Sequence, residues 1–473
     1  MKLSQEQILQ ISKGDTEIAA FITMLTQRIE QLEARVKDLE RQLNQNSNNS
    51  SKPPSSDGFR KPTNLRTPGG KKGAPKGHKG HTLLFSEHPD HVIEHQLWSC
   101  QNCAASLANV PSFHYERRQV FDIPAPRVVN TEHRAFKKCC PACGSLQQAS
   151  FPEHVCAPTQ YGDGFAAWTS YLHGYQFLPL KRIAQLFADL TGCRPSEATL
   201  LSYLKKMNQV LETLELTIRK QLLAEPLVHA DESMMRVEGK GHWLHVVSTA
   251  AWTLLGVHKK RGHEAFQEMK VLPNFKGDVV HDCCMSYFKD VYSFRHVLCN
   301  AHLLRECQGI VEYDKHDWAA QMKQLLQKSW KLTCTARQQN VTVAGEKIRD
   351  IEQRYDDILA AGKLEWEKDF VRQKSGSRGR KIKSKAANLG ERFMLYKEPI
   401  LRFLRDAHVP FDNNQAERDL RMSKVKQKIS GSFRTEPGVG IFSRIRSVIS
   451  TMLKQEFPLI SSLTAAYRGQ FTF

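Results

Sequence analysis

The most regular pattern of apolar positions lies near the N-terminus, where spacings of four and three alternate. The apolar positions are Ile18, Ile22, Leu25, Ile29, Leu32, Val36, Leu39 and Leu43. With Ile22 at heptad position a, β-branched residues dominate a and leucines dominate d, which favours a parallel two-stranded coiled coil. The alternative is one amphipathic helix packed on its own domain. The polar tract NQNSNNSSKPPSSDG is expected to end the helix.

A different pattern begins after Pro226, where short apolar runs predict strands. The runs are LVHAD (227–231), HWLHVVST (242–249), TLLGVHK (253–259) and GDVVHD (277–282), with a helix at HEAFQEMKVL (263–272) and a strand-to-helix segment at RHVLCNAHLLRE (295–306). Asp231 and Asp282 each end one of these runs. Two aspartates at strand ends are what an RNase H-like α/β sheet would supply. For either residue alone, a turn or helix cap is the alternative.

The segment PFDNNQAERDLRMSKVKQKISG (410–431) predicts a helix that follows polar capping residues. Ala416 and Leu420 can face a core. Four charged residues fall on one exposed stripe of that helix, namely Glu417, Arg421, Lys424 and Lys428. A Glu417–Arg421 pair, worth about 0.2–0.5 kcal/mol, would explain the single acid on a basic face. The alternative is that Glu417 joins Asp231 and Asp282 in a metal-binding trio.

Two further regions predict helices. In residues 165–220, LKRIAQLFADL and SEATLLSYLKKM flank a Thr191–Gly192 turn, which resembles a helix-turn-helix but also fits a plain helical spacer. Residues 307–409 predict an all-α insertion within the sheet-containing domain.

Charge changes this picture by indicating a polyanionic partner. The 473 residues carry 68 Lys+Arg against 49 Asp+Glu, a formal charge of +19, and two blocks hold no acid. One block contains Lys71, Lys72, Lys76 and Lys79, and the other contains Arg378, Arg380 and Lys381. Because no apolar run approaches the ~20 residues of a membrane span, nucleic acid fits better than a membrane. The alternatives are a solubilising linker and a solvated surface loop.

The 12 cysteines are too unevenly spaced for a secreted disulfide framework. Two CxxC pairs supply four thiolates that suit tetrahedral structural Zn²⁺, and these are Cys100, Cys103, Cys140 and Cys143. Residues 117–136 predict a β stretch that would bring the pairs together. Reduced cysteines in a small β module are the alternative. Cys299 and His302 form a CxxH, for which packing or substrate positioning is favoured over zinc.

Several segments together resemble the transposase of the insertion-sequence 66 family. They include HADESMMRV, HDCCMSYF, CNAHLLRE and FDNNQAERDLRMSKVKQKISGSFRT, with SSKPPSSDG, LHGYQFLPLKR and GIFSRIRSVISTMLKQ, and they follow the family's order over roughly the whole chain. Two departures are Ser233, where threonine is usual, and Cys284, where tryptophan is common. The resemblance implies a DNA transposase with an Asp/Asp/Glu active site at Asp231, Asp282 and Glu417.

The implied chemistry uses two Mg²⁺ ions, or Mn²⁺, about 3.5–4 Å apart. Asp231 would bridge them, Asp282 would hold one, and Glu417 would complete the other. Water would release a 3′-OH at the element's end, and that 3′-OH would attack target DNA. The strand's phosphates would lie against Arg421, Lys424, Lys426, Lys428 and Arg434.

The expected fold class is an α/β RNase H-like catalytic core with an all-α insertion. The expected units are a coiled coil (1–45), a basic arm (46–97), a zinc-binding module (98–160), a helical region (161–225), the catalytic domain (226–306 and 410–456), the insertion (307–409) and a tail (457–473). The expected partners are terminal repeats, target DNA, a second copy of the chain and two smaller accessory proteins, in a cytoplasmic, nucleoid-associated protein. Three rival functions are an inactive DNA-binding descendant, an RNase H-like nuclease and a zinc-dependent transcription factor.

Overall fold

The structure is a computed structural model that describes residues 5–50, 83–124, 126–369 and 383–473. It begins with a short helix, α1 (Gln5–Ile11), and a 29-residue helix, α2 (Thr16–Asn44). The Asp15 carboxylate starts α2 by accepting hydrogen bonds from the backbone N–H groups of Glu17 and Ile18. The helix ends where the polar tract begins. Its apolar residues are largely exposed in the single chain, with Leu32 at 51%.

Residues 98–160 contain little regular structure apart from a small antiparallel hairpin. Its strands are β1 (Lys137–Cys139) and β2 (Leu146–Gln148). The predicted β stretch at 117–136 is wrong, because the described residues of that stretch form no strand. Val120 and Ile123 are 92% and 86% exposed, so no second layer is present to stabilise a pleated strand there.

Four helices follow, and the turn predicted between two of them is present. They are α3 (Asp163–Gly174), α4 (Leu180–Thr191), α5 (Glu197–Val210) and α6 (Glu212–Ala224). Gly192 ends α4 with a φ of 73°, a conformation that glycine adopts without a Cβ penalty. The Ser196 hydroxyl caps α5 by accepting from the Thr199 N–H at 3.1 Å. Part of this region packs into the same core as the sheet.

Within the described residues, the main sheet has five strands in the order β5-β4-β3-β6-β7. The strands are β3 (Leu227–Val237), β4 (Lys240–Ser248), β5 (Thr253–His258), β6 (Asp278–His281) and β7 (Arg295–Leu298). β4 is antiparallel to β3 and β5, whereas β6 and β7 run parallel to β3. The mixed α/β class is therefore confirmed.

The first of these strands is longer than its apolar pattern predicts. Asp231 lies inside β3, since pairing with β4 continues from Asp231 to Val237 and closes in a hairpin. Glu238 and Gly239 form that turn with φ values of 51° and 73°, which a two-residue hairpin turn requires. The prediction that the strand ends on Asp231 is therefore wrong, although the strand itself is present.

Several helices pack against the sheet. They are α7 (His263–Met269), α8 (Asn300–Tyr313), α13 (Asn414–Ser430), α14 (Glu436–Lys454) and α15 (Leu459–Tyr467). On α14, Ser447 and Thr451 accept hydrogen bonds from backbone N–H groups of the edge strand β5. These hydrogen bonds occupy backbone N–H groups of the edge strand, which could otherwise pair with a strand of another chain.

The described part of residues 307–409 is helical apart from its connections. It includes α9 (Asp317–Gln338), α10 (Gly345–Trp366), α11 (Lys385–Leu395) and α12 (Lys397–Arg405). Trp318, Tyr355, Trp366 and Phe393 form its core, which is continuous with buried residues of β6 and β7. The helical segment is thus built onto one side of the sheet.

The N-terminal segment reaches this helical part. Arg41 forms an ion pair with Asp314 at 2.8 Å, and its guanidinium also lies 5.5 Å from the Tyr313 ring centroid. Asn49 donates to the Glu312 carboxylate at 2.8 Å. The end of α2 and the residues after it are therefore held against the C-terminal end of α8. Within the described residues, no helix has the length and hydropathy that crossing a membrane would require.

Candidate active site

The three carboxylates singled out from the sequence lie around the C-terminal end of β6 and the neighbouring part of β3. Asp231 lies in β3, Asp282 directly follows β6, and Glu417 lies in the first turn of α13. β3 and β6 are neighbouring parallel strands, with His229 paired to Val280, so the two aspartates come close beyond that pair. Packing of Ala416 and Leu420 into the core beside β3 and β4 brings the start of α13 to the same place.

The electrostatics show that the charges of the other two carboxylates act on Asp231. Burial raises the pKa of Asp231 well above its usual value, and the charges of Glu232, Asp282 and Glu417 add to that rise. Burial and the charge of Glu232 raise the pKa of Asp282 to about 6. Burial, followed by the charge of Asp412, raises the pKa of Glu417. Closely spaced, desolvated carboxylates need a cation to remain ionised together.

An arginine supplies part of that positive charge around Asp282. Arg261 Nε lies 2.6 Å from the Glu232 carboxylate, and its Nη2 lies 3.4 Å from Asp282. Glu232 has no exposed side-chain surface and also accepts from the Tyr287 hydroxyl at 2.7 Å. Donor atoms of Glu232, Asp282 and Cys284 lie within 4.8 Å of one another, a grouping that could hold a metal ion.

Glu417 belongs to a second group of potential metal ligands. Its Oε1 lies 3.8 Å from His302 Nδ1 and 3.7 Å from Arg305 Nη2. The donor atoms of Cys299, His302 and Glu417 lie within 4.8 Å of one another. Among the described residues, the ion-pair contacts of Glu417 come from α8, and no ion pair joins it to Arg421. The charge of Arg421 nevertheless lowers the pKa of Glu417 in part, so the local i,i+4 interaction is present without a close ion pair.

Asn413 fixes the start of α13 to the strand that carries Asp231. Its side chain donates to the Ala230 carbonyl at 2.8 Å, and its Oδ1 lies 2.9 Å from His229 Nδ1. Its backbone N–H donates to Cys299 Sγ at 3.2 Å. Asn413 is 1% exposed, so these bonds are shielded from competition with water. They set the position of Glu417 relative to Asp231.

The basic residues predicted on α13 do not all face solvent. Arg421, Lys428 and the following Arg434 are exposed. The Lys424 ammonium donates to the Met234 carbonyl. Lys426 is 4% exposed, and its Nζ lies 3.6 Å from the Phe433 ring centroid. Burial lowers the pKa of Lys426 to about 8, and this location is inconsistent with its predicted contact with phosphates.

The two CxxC pairs adopt the same local turn. Cys100 N–H donates to the Ala105 carbonyl and Cys140 N–H to the Ser145 carbonyl. Backbone hydrogen bonds from Asn102 and Cys103 lower the pKa of Cys100, and hydrogen bonds from Ser145 lower that of Cys143. In the described residues, however, no three of the four thiols lie within 4.8 Å of one another. The structure therefore gives two separate knuckles rather than an assembled zinc site.

Seven predicted DNA-contacting residues lie outside the described residues. They are Lys71, Lys72, Lys76, Lys79, Arg378, Arg380 and Lys381.

Comparison with known protein families decides the class of this chain. The model described as Transposase IS66 family matches residues 158–440, more than half of the chain, and this range contains Asp231, Asp282 and Glu417. The chain belongs to the Transposase IS66 family. This confirms the resemblance found in the sequence, and membership in this family implies an enzyme that acts on DNA and uses divalent metal ions.

Two other comparisons add less. A family of unknown function (DUF6444) matches residues 4–83, which include α2 and part of the basic arm. Among curated proteins, none matches the chain significantly. The IS66-family match begins after the four CxxC cysteines, so it carries no information about them.

The sequence alone does not identify four features of this transposase-family site. Glu232 stands beside a predicted catalytic residue, Arg261 follows a predicted strand, and the sequence predicts Asn413 only as a polar cap. The pairing of the Cys299–His302 motif with Glu417 was missed because the ligands come from segments 115 positions apart. Only the CxxH spacing itself was a usable signal.

Proposed function

We propose that this IS66-family protein is a DNA transposase that cleaves the ends of an insertion sequence and joins them to target DNA. The observation that carries the proposal is the buried position of Asp231, where the charges of Asp282 and Glu417 add to a rise in the pKa of its carboxyl group that burial dominates. Such a cluster is expected where a protein binds divalent cations and processes a phosphodiester.

The catalytic fold in this proposal is RNase H-like. Support comes from the strand order β5-β4-β3-β6-β7, in which β3, β4 and β5 are antiparallel neighbours and β6 and β7 run parallel to β3. The first carboxylate lies on the central strand, the second follows the neighbouring parallel strand, and the third lies on a helix after the helical insertion. The proposed domain comprises residues 226–306 and 410–456, with 307–409 inserted.

The residues present fit Mg²⁺ or Mn²⁺, because carboxylate oxygens are the ligands these ions prefer. Asp231 would bridge two ions, Asp282 would hold one, and Glu417 would complete the other. When bound, the ions supply activation of the attacking oxygen and charge neutralisation at the leaving oxygen. The protein's own part is to orient Asp282 through the Cys284 N–H at 3.0 Å and to hold Glu417 through the Asn413 contacts.

DNA would be positioned by exposed cations beside this cluster. Arg421, Lys428 and Arg434 lie on the same helix as Glu417 or just beyond it and are exposed, so they are available to phosphates. Arg261, which contacts the carboxylates of Glu232 and Asp282, is a further cation beside the cluster. The acidless basic segments are proposed as further, sequence-independent contacts.

Two structural proposals accompany the catalytic one. The exposed heptad residues of α2 support a parallel coiled-coil dimer, since an isolated chain leaves that seam in water. The matching turns of the two CxxC knuckles support Zn²⁺ binding by Cys100, Cys103, Cys140 and Cys143. Zinc would have to draw the two knuckles together.

The decisive experiment uses the full-length protein and DNA that carries the element's terminal repeat. We expect Mg²⁺-dependent cleavage at the repeat's end and strand-transfer products when target DNA is added. Asp282→Asn should abolish both, whereas the matched control Asp290→Asn, an exposed residue nearby, should retain both. Cleavage without strand transfer would favour the RNase H-like nuclease. Binding to the repeat without any cleavage would favour the inactive descendant.

A further inference from the structure

The group formed by Cys299, His302 and Glu417 differs in chemistry from the rest of the carboxylate cluster. It offers one sulfur, one imidazole nitrogen and one carboxylate oxygen, all within 4.8 Å of one another. Mg²⁺ prefers oxygen ligands only, whereas imidazole and thiolate suit zinc and related ions. The proposed catalytic roles use Glu417 but leave the other two side chains without a function.

Two atoms of this group are buried and lack hydrogen-bond partners. His302 Nδ1 and Glu417 Oε1 are both inaccessible to water and unsatisfied in the described structure. They face each other at 3.8 Å, too far for a hydrogen bond. That separation is close to the spacing of two ligands on a tetrahedral ion with metal–ligand distances of about 2.0–2.2 Å. Leaving both atoms unsatisfied costs free energy that a bound cation would recover.

The sulfur is also prepared for a ligand role. Cys299 precedes α8 directly, and its Sγ accepts the Asn413 N–H at 3.2 Å. Burial raises the pKa of Cys299 to about 12, and backbone hydrogen bonds from His302 and Asn413 offset only part of that rise. A metal ion reverses that balance, because a coordinating thiol is deprotonated.

Arg305 is the one cation that contacts this group in the described residues. Its guanidinium lies 3.7 Å from Glu417 Oε1 and also donates to the Ala301 carbonyl at 3.3 Å. It therefore compensates the Glu417 charge from one side. It does not satisfy His302 Nδ1, which is left as an open ligand position.

We propose that Cys299, His302 and Glu417 form a binding site for a zinc-class divalent ion within the transposase active site. This inference rests on the proposed function only in its consequence, which is competition for Glu417. An ion held by all three ligands would withdraw the Glu417 carboxylate from Mg²⁺. Zinc-class ions would then inhibit DNA cleavage while Mg²⁺ supports it.

The binding test uses Co²⁺ as the probe, because tetrahedral Co²⁺ absorbs visible light and gives a charge-transfer band with thiolate. Metal-free full-length protein is titrated as wild type and as Cys299→Ala, His302→Gln and Glu417→Gln. Cys307→Ala is the matched control, since Cys307 is a buried thiol on α8 outside the group. All five proteins keep the four CxxC cysteines, so the signal from those residues cancels in difference spectra.

We expect wild type and the Cys307→Ala control to bind one more Co²⁺ per chain than the three variants. If a variant still binds this additional Co²⁺, its affinity for the ion should be lower than that of wild type by about tenfold or more. Thermal unfolding identifies any variant that fails to fold. His302→Gln and Glu417→Gln keep side-chain size, so at least one folded variant can decide the question. Titrations that match wild type in the folded variants would overturn the proposal.

A second measurement separates this inference from the proposed function. At a fixed Mg²⁺ concentration, we compare the Zn²⁺ concentration that halves DNA cleavage by each protein. This concentration should be at least about tenfold higher for the His302→Gln variant than for wild type. Cleavage by wild type that is insensitive to Zn²⁺, together with the absence of a His302-dependent Co²⁺ signal, would overturn the ion site alone. A His302-dependent Co²⁺ signal in a protein that never cleaves DNA would overturn the transposase proposal alone.

Discussion

Asp282 carries a carboxylate whose ionisation the metal-free protein opposes. Burial and the charge of Glu232 raise its pKa to about 6, compared with about 3.9 in an unfolded chain. The protonated Asp282 carboxyl group therefore contributes to the free energy of unfolding. That contribution is fully present below the pKa of the unfolded chain and is lost as pH rises through the pKa of the folded protein. The window therefore runs from about pH 4 to about pH 6.

Substitution of Asp282 by asparagine should remove this pH-dependent loss. In the presence of a chelator, we expect Asp282→Asn to unfold at a higher temperature than wild type at pH about 7 and at a similar temperature at pH about 4. Added Mg²⁺ should stabilise wild type and leave the variant unchanged. Differential scanning calorimetry at both pH values provides the measurement. A variant that tracks wild type at both pH values contradicts the electrostatic interpretation.

The lysines of α13 include a buried one and an exposed one. Lys426 is buried over Phe433, whereas Lys428 is exposed two positions later. We expect Lys428→Ala to weaken binding to any DNA duplex and to reduce the slope of log affinity against log salt by about 1. Lys426→Met, which conserves volume, should leave both quantities unchanged. Fluorescence anisotropy over a range of salt concentrations measures them, and equal effects of the two substitutions would refute the distinction.

At the scale of elements, the joint between β3 and the start of α13 depends on one amide. Asn413→Ala removes the partner of the buried Ala230 carbonyl, at a cost of about 1–3 kcal/mol. It should also lower Mg²⁺ affinity and the cleavage rate, because Glu417 would no longer be held beside Asp231. Asn414→Ala is the control, since the exposed Asn414 side chain donates only to Asp412. Urea unfolding and a Mg²⁺ titration of cleavage would show the contrast, and equal behaviour of the two variants would contradict it.

The packing of α11 against α10 leaves no room for a side chain at Gly390. A Cβ there would come within 2.4 Å of the Trp366 ring. We expect Gly390→Ala to lower the free energy of unfolding by about 1–3 kcal/mol through overpacking. Gly440→Ala in α14, where nothing lies within 4 Å, should be neutral or stabilising because alanine favours helix. Denaturant unfolding of both variants tests the pair, and a neutral Gly390→Ala would argue against this packing.

Local patterns predict the elements whose apolar residues follow a single period. The helix α2, the helix–Gly192–helix turn and the strand-to-helix change at Leu298 are all present. The strand through Asp231 is longer than predicted because its second half is held by pairing with β4 and a Glu238–Gly239 turn, not by an apolar run. The stretch at 117–136 has strand-like residues without a layer to cover them.

The candidate site was predictable in its carboxylates but not in its supporting contacts. The family resemblance singles out Asp282 and Glu417, whereas the Asn413–Ala230 bond joins residues 183 positions apart. The burial of Lys426 was also beyond a helical-wheel argument, because the Phe433 that covers it lies after the helix has ended. Contacts between distant segments depend on tertiary packing, which one sequence does not display.

At the scale of the whole molecule, α8 connects two regions that the sequence separates. Its first two turns carry His302 and Arg305 beside Glu417. Its C-terminal end holds Arg41 and Asn49 through Asp314 and Glu312. A second copy joined through α2 would therefore be attached next to the helix that borders the candidate site. In such a dimer, dimerisation and the placement of the two proposed active sites would be linked.

The coiled-coil proposal leads to a test at that scale. In the heptad register, Ile29 occupies an a position and Gln27 an f position, and both are exposed in the single chain. Ile29→Lys would place two like charges in the seam of a dimer, whereas Gln27→Lys would place them outside it. We expect sedimentation equilibrium to give a monomer for Ile29→Lys and a dimer for wild type and Gln27→Lys.

The same pair of variants distinguishes assembly from catalysis. Because Asp231, Asp282 and Glu417 all come from one chain, monomeric Ile29→Lys should still bind Mg²⁺ with the affinity of wild type. Joining two ends of an element to one target requires two active sites held together, so concerted strand transfer should fall while Mg²⁺ binding persists. If Ile29→Lys stays dimeric, the apolar seam of α2 is not the dimer interface, and the dimer forms through another part of the chain.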